Sequence, residues 1–320
     1  MNAILRIAVL YGGTSAERTV SLESGSNVAE ALRIGGHEVT LIDPQQSGLD
    51  EVDWTAFDVV FNALHGTFGE DGTLQTLLDA HQIPYTGSDA VVSQLAFNKA
   101  AAKQQFQAVG IATPAFAVLE DEATLETARE TANQLGFPLV VKPNSQGSSF
   151  GVSIVRTEEQ LAPAIELARR YDDTLLLEVA VLGEEWTVPF VGETLLPPIR
   201  VSTQREFFDY QAKYLDEETG YLFAATSSQE VLVEIEETAR AACRVLGTRG
   251  VTRVDLRLDA MGRPFVLEVN TSPGMTHHSL VPKSAERIGW TLTDLCENAI
   301  RLALRDSRWT HNRHEPQPAS

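Results

Sequence analysis

Cysteine is scarce in this chain. Cys243 and Cys296 are the only two in 320 residues, and each sits in a helical-looking, partly apolar segment. Two such thiols exclude a disulfide framework and point to a reducing compartment. Neither has a histidine close in sequence, so a nucleophilic role is not expected. Basic charge is short as well. Lys and Arg number 25 against 44 Asp and Glu, a net charge of -19. A nucleic-acid or anionic-membrane partner would require a basic face, so neither is expected. An anionic nucleotide is still admissible if local Lys, Arg, backbone N–H groups or a metal receive it. Long apolar runs are also missing. The N-terminal MNAILRIAVLYGG is too short to span a bilayer and lacks a small-residue cleavage pattern. It reads as a first strand, and the chain as cytoplasmic. There is no internal repeat and no low-complexity tract. The G-x-x-x-x-G-K-[ST] order of a P-loop is absent, and no G-x-G-x-x-G follows the first strand, which removes a Rossmann dehydrogenase.

The length suffices for roughly two or three domains with a sizeable core. Ile4 to Leu10 is a continuous apolar strand, followed by Gly12-Gly13 and a helix to about Leu32. Glu38 to Ile42 and Phe57 to Leu64 are further strands. Strand–helix alternation with glycines after strand ends predicts a small parallel sheet covered by helices. Ligands of such sheets sit at the strands' carboxyl ends, which puts Gly12 to Glu17 and His65 to Gly72 on one rim. One helix is expected from about Ser88 to Val109. Beyond Glu185 the texture turns β-rich, and Glu206 to Ala224 reads as a long loop of the kind that serves as a lid. Trp309 to Ser320 is polar and expected to fray.

The most informative stretch runs from Arg249 to Leu280. Val254, Leu256 and Leu258 alternate with Arg253, Asp255 and Arg257, the period of a half-buried strand. Phe265, Leu267 and Val269 alternate with Val266, Glu268 and Asn270, and Ala260 to Arg263 supply a turn. If Asp259 pairs with Pro264, Asp255 falls opposite Glu268 and Arg253 opposite Asn270. Opposed carboxylates repel in a bare sheet, whereas a hard divalent cation takes Asp, Glu and Asn oxygens. A solvated outer face in another register is the bland alternative.

Three other places invite chemistry. Lys142 ends a buried strand and enters a Gly/Ser loop whose backbone N–H groups can approach a phosphate; an ordinary turn is the alternative. Glu178 closes an apolar strand, and Glu185 follows across Gly183, a possible hinge. Thr14-Ser15-Ala16-Glu17 fits a capping box, unless Glu17 faces the rim and pairs with a substrate ammonium.

Six motifs in order resemble the D-alanine–D-alanine ligase family of the ATP-grasp superfamily: GGTSAER (12–18), ALHGTFGEDGTLQ (63–75), VVKPNSQGSSFGVS (140–153), AKY (212–214), RVDLRLD (253–259) and EVNTSPGMTHHSLVP (268–282). The resemblance spans residues 8 to about 305. It implies an α/β chain, α+β in its C-terminal part, with a three-domain ATP-grasp fold and an N-terminal Rossmann-like parallel-sheet domain. The implied divisions are 1–98, a central ATP-grasp subdomain 99–182, a C-terminal catalytic domain 183–308 and a tail 309–320. The implied reaction phosphorylates one D-alanine carboxylate with ATP. The amino group of a second D-alanine then displaces phosphate, giving a dipeptide for peptidoglycan.

The roles implied by the resemblance are these. Asp255, Glu268 and Asn270 match ligands of two Mg2+ (or Mn2+) ions. Lys99, Lys142 and Ser149 match nucleotide-phosphate contacts. Glu178 to Val181 would meet adenine, and Glu185 the ribose. Arg253 and the Gly274 N–H match oxyanion donors. Glu17 would hold the first D-alanine ammonium with His65 nearby. Ser279 and Lys213 would receive the second carboxylate or the departing phosphate. Ser148 and Tyr214 fit a hydrogen-bonded link with Glu17. Ala180 stands where the family often has an aromatic residue, and Phe68 and Asn144 read as tolerated variation. A homodimer is common in the family. The alternatives are a ligase with a D-lactate or D-serine acceptor, which Tyr214 disfavours, and a nucleotide-binding regulator with a degenerate site, which the retained metal ligands and Arg253 disfavour.

Overall fold

The structure, a computed structural model, describes residues 3–202, 220–223, 228–306 and 308. Three sheets organise these residues. The first is parallel, ordered β2-β1-β3, from β1 (Arg6–Leu10), β2 (Glu38–Ile42) and β3 (Val59–Asn62). In β1, Ile7 and Val9 join one core while Ala8 and Leu10 join another. Burial on both faces is why that strand is apolar without interruption. Helices α1 (Arg18–Ile34) and α2 (Thr73–Ala80) follow β1 and β3.

Two helices then lead to the second sheet, α3 (Ala90–Phe97) and α4 (Lys99–Ala108). The single helix expected from Ser88 to Val109 is broken at Asn98, whose backbone leaves helical geometry (ψ 97°) and whose side chain accepts the Ala101 N–H. The break places Lys99 at the start of α4. The second sheet is antiparallel, ordered β4-β7-β5-β6, from β4 (Phe116–Leu119), β5 (Leu139–Pro143), β6 (Ser153–Val155) and β7 (Leu175–Val179). It packs on α5 (Leu125–Leu135) and α6 (Leu161–Ala168).

The third sheet is antiparallel as well. Its order is β11-β10-β8-β12-β13, with β8 (Glu185–Val191), β9 (Thr194–Leu195) paired to β8, β10 (Ile199–Ser202), β11 (Gly220–Phe223), β12 (Val251–Leu258) and β13 (Pro264–Asn270). Helix α7 (Gln229–Leu246) covers it, with Ile235, Ala239 and Ala242 in its core. Helices α8 (Leu280–Glu286) and α9 (Leu292–Arg305) close the described chain. Gly220 to Phe223, expected to be loop, forms strand β11 against β10; the rest of the proposed lid, including Lys213 and Tyr214, lies outside the described residues, as does the tail 309–320. Among the described residues no helix is long and apolar enough to cross a membrane.

The β12–β13 register corrects one expectation and reaches the same pairing at the site. Leu258, not Asp259, pairs with Pro264. A bulge between Asp255 and Leu256 then shifts the register, so Asp255 faces Glu268 and Arg253 faces Asn270. The extra residue is Leu267. It also reverses the strand's phase: Val266 and Val269 enter the core, while Phe265 and Leu267 are half-buried. Bulges of this kind re-aim side chains next to active sites.

Candidate active site

Two cavities adjoin where the three sheets meet. The first is lined by Glu17, His65, Glu70, Ser148, Arg253 and Gly274. The second is lined by Lys142, Ser149, Glu178, Val181, Glu185 and Asp255. Lys99, Gln146 and Glu268 line both and form the wall between them.

Glu17 does not cap its helix. It occupies the N-cap position of α1 but makes no side-chain cap bond, so the capping box is not formed. Its carboxylate turns into the first cavity, where Oε2 accepts the Ser148 hydroxyl. Oε1 is buried with no hydrogen-bond partner among the described residues. Buried polar atoms are nearly always paired, so this oxygen is an acceptor open to a donor beyond the described residues. Gly147 allows the approach: a Cβ there would lie 2.1 Å from Glu17 Oε1. Ser148 and Ser149 both take positive φ (50° and 58°), which turns the loop back over the rim.

His65 is held between two lobes. Its Nδ1 lies 3.0 Å from the Ser272 carbonyl and its Nε2 3.2 Å from Ser24 Oγ. A carbonyl only accepts, so Nδ1 carries the proton and the Ser24 hydroxyl donates to Nε2. Burial lowers the imidazole's pKa, against an opposing pull from Glu17. The ring is therefore a neutral brace. Gly274 and Ser279 lie on the loop beyond. Ser279 Oγ accepts the Thr276 N–H at 3.0 Å, and a Cβ on Gly274 would come within 2.8 Å of that oxygen.

In the second cavity the cations already have carboxylate partners. Lys142 Nζ lies 2.6 Å from Glu178 Oε1, and Lys99 Nζ lies 3.2 Å from Glu268 Oε2 while donating to the Gln146 carbonyl at 2.6 Å. Arg253 grips Asp255 through two nitrogens, and Thr187 donates to the same carboxylate. Arg257 pairs with Glu185 at 3.1 Å and donates to the Val181 carbonyl. Asp255, Glu268 and Asn270 share one face of the hairpin, as β-strand alternation and the register require. Their donor set is all oxygen, which fits a hard cation of the Mg2+ type. No group of three His, Cys, Asp or Glu suited to a metal occurs among the described residues; the third donor here is an asparagine.

The comparisons with known proteins agree with this geometry. Residues 44–88 match the family profile described as D-ala D-ala ligase N-terminus, and 105–301 that described as D-ala D-ala ligase C-terminus. The D-alanine–D-alanine ligase of Xylella fastidiosa is 46% identical over 93% of this chain and 99% of its own. The chain belongs to the D-alanine–D-alanine ligase family. Ligase B of Chromobacterium violaceum is 43% identical over 91% of this chain and 95% of its own. Among solved structures, the Bacillus anthracis ligase complexed with ATP superposes with a TM-score of 0.82 at 32% identity, covering 94% of this chain and 98% of that one. The fold is thus that of the ATP-grasp ligases.

Four residues at the site were not singled out from the sequence, or were misjudged. Glu70 is buried in the first cavity and accepts the Gly66 N–H; burial and the Glu17 charge push its carboxyl well above the usual range. Its position in GEDG was the available signal. Asn144 is no tolerated variant: its buried side chain accepts the Ala100 N–H and its carbonyl the Lys99 N–H, fastening the phosphate-type loop to α4. Arg257 entered only as a polar position in the β12 alternation, and Lys103 left no mark in the pattern. The cysteines are free, with Cys243 raised by burial to about 11, which suits inert thiols.

Proposed function

We propose that this chain forms D-alanyl-D-alanine from two D-alanines and ATP through a D-alanyl phosphate, releasing ADP and phosphate. The wall shared by the two cavities carries this reading. An amino acid held by its ammonium on Glu17 Oε1 reaches toward Lys99 and Glu268 from one side. A nucleotide lying along Glu178, Val181 and Glu185 brings its phosphates to the same wall from the other.

Phosphoryl transfer asks for alignment and charge neutralisation more than covalent help. Lys99, Lys142 and the backbone at Ser149 supply the protein's share. Asp255, Glu268 and Asn270 would hold two Mg2+ (or Mn2+) ions, which supply the remaining neutralisation of the phosphates. In the second half-reaction negative charge builds on the acyl oxygen, and Arg253 with the Gly274 N–H would receive it. Ser279 would take the second carboxylate or departing phosphate, with Lys213. The Glu17–Ser148 bond holds the loop over the acyl phosphate and keeps water out; Tyr214 would extend that link.

The division into 1–98, 99–182 and 183–308, residence in the cytoplasm and a homodimer belong to the same proposal. The acceptor is D-alanine because AKY (212–214) carries a tyrosine. The test is ADP release with D-alanine, L-alanine, D-serine and D-lactate, with and without Mg2+. Release should require D-alanine and metal together. Equal release with D-lactate would move the acceptor assignment, and no D-amino-acid dependence would favour a nucleotide-binding regulator.

A further inference from the structure

Lys103 is the largest charged side chain to be completely buried. It lies one turn along α4 from Lys99, yet it lines neither cavity. Nζ sits 2.9 Å from Glu178 Oε2, donates to Thr113 Oγ1 at 2.6 Å and lies 5.4 Å from the centre of the Phe116 ring. Thr113 in turn donates to the Val266 carbonyl at 2.8 Å, two residues before Glu268 on β13. Lys103 therefore joins the second sheet to the third, directly behind the proposed nucleotide cavity.

Glu178 lies between Phe116 of β4 and Val140 of β5 and has a lysine on each oxygen: Lys142 from β5 and Lys103 from α4. The two lysines differ in access. Lys142 lines the cavity, while Lys103 does not. If Lys142 turns to an incoming phosphate, it leaves a buried carboxylate behind. A buried charge stripped of its partner is costly. Lys103 prevents that cost, because it stays whichever way Lys142 points.

We infer that Lys103 is a positioning residue for nucleotide binding, the permanent counter-ion of Glu178 that frees Lys142 to serve the phosphates. The inference rests on the ATP reading above. The charges facing Glu178 are Lys103 and Lys142, with Glu268 of β13 acting on Lys103 through space. Burial alone would raise the Glu178 carboxyl, but the two lysines outweigh it and hold it below its ordinary value. Burial likewise lowers Lys103 to about 8.

The test compares Lys103→Met, Glu178→Gln, the double variant and the parent. In Lys103→Met, Lys142 is the only counter-ion left and cannot leave. KM for ATP should rise about tenfold or more, the scale of a lost charged hydrogen bond, while KM for D-alanine and kcat change far less. Calorimetric Kd for a non-hydrolysable ATP analogue should weaken in parallel. Because Glu178 with one lysine fewer would take a proton more readily, lowering the pH should release Lys142 and improve analogue binding in this variant, a trend absent from the parent. The double variant removes the charge that captures Lys142, so its analogue affinity should exceed that of Lys103→Met and match that of Glu178→Gln alone. If Lys103→Met does not fold, a folded, analogue-binding double variant carries the same conclusion. Additive loss in the double variant, or lost stability with unchanged analogue affinity, overturns the inference. A parent without D-alanine-dependent ADP release but with normal analogue binding would sink the ligase reading and leave this one standing.

Discussion

At the scale of single residues, most charges of the site are already paired, as Lys142 is with Glu178 and Arg253 with Asp255. Glu17 Oε1 has no hydrogen-bond partner among the described residues. Glu17→Gln should raise KM for the first D-alanine by about 10- to 100-fold, since a charged hydrogen bond contributes roughly 1.5–3 kcal/mol. Melting temperature should move little, because no capping box is lost; a large thermal loss with unchanged KM would return Glu17 to a structural role. Asp255 is gripped by Arg253 and faces Glu268. Asp255→Asn should reduce kcat by about 100-fold or more, beyond what loss of a metal's outer partner costs. Near-normal turnover at saturating Mg2+ would count against its role as a ligand. His65 gives a pH signature. Its folded pKa lies below the free value of 6.5. Above pH 6.5 it is neutral folded or unfolded, and its contribution is complete. As pH falls below 6.5 the unfolded chain takes a proton that the folded chain resists, and stability declines. Between pH 7.5 and 5.5, then, the parent should lose more melting temperature than His65→Gln, and parallel slopes would refute this.

At the scale of elements, two asparagines at the start of α4 separate stability from function. Asn98 caps the helix from its own end, and Asn144 caps it from the Gly/Ser loop. Removing either should cost about 1 kcal/mol. Only Asn144→Ala should also raise KM for ATP, because of the two caps only Asn144 belongs to the loop bearing Ser148 and Ser149 and its side chain fastens that loop to α4. Chemical denaturation and ATP kinetics on both variants check this; equal KM values would mean the loop is held by other contacts. The hairpin shows how far local pattern reaches. Alternation in β12 was legible, since Val254, Leu256 and Leu258 are buried as their period requires. The bulge in β13 was not. One inserted residue among apolar ones leaves no compositional trace, and Leu267 resembles Val266 and Val269 until the fold sends it to the other side. Asp255 still met Glu268 because the turn is one residue longer than expected and the bulge restores the offset.

For the whole molecule, the first and last elements share a core. Ile7, Val9, Val28 and Leu32 pack with Val251, Leu295, Cys296 and Ile300. The parallel sheet that presents Glu17 and His65 is thereby fixed against the segment following Arg253 and Gly274. Leu295→Ala in α9 should destabilise by about 2–5 kcal/mol. Hydrogen exchange should then quicken in β1 and α1 as well as in α9. Faster exchange confined to α9 would show that the two ends unfold independently.

The sequence by itself determined the strands with strict alternation, the apolar β1, the glycine-rich rim and the order of six motifs, because each is written in neighbouring residues. It also carried the acidic face of the hairpin, since side-chain direction in a strand follows from period two. Only the tertiary structure decided that Glu17 forms no capping box, that Asn98 breaks a helix, and that Asn144 fastens a loop. It alone put Lys103 behind Glu178. Those outcomes depend on partners brought from distant elements, and the free energy of a buried charge is set by what surrounds it rather than by what precedes it in the chain.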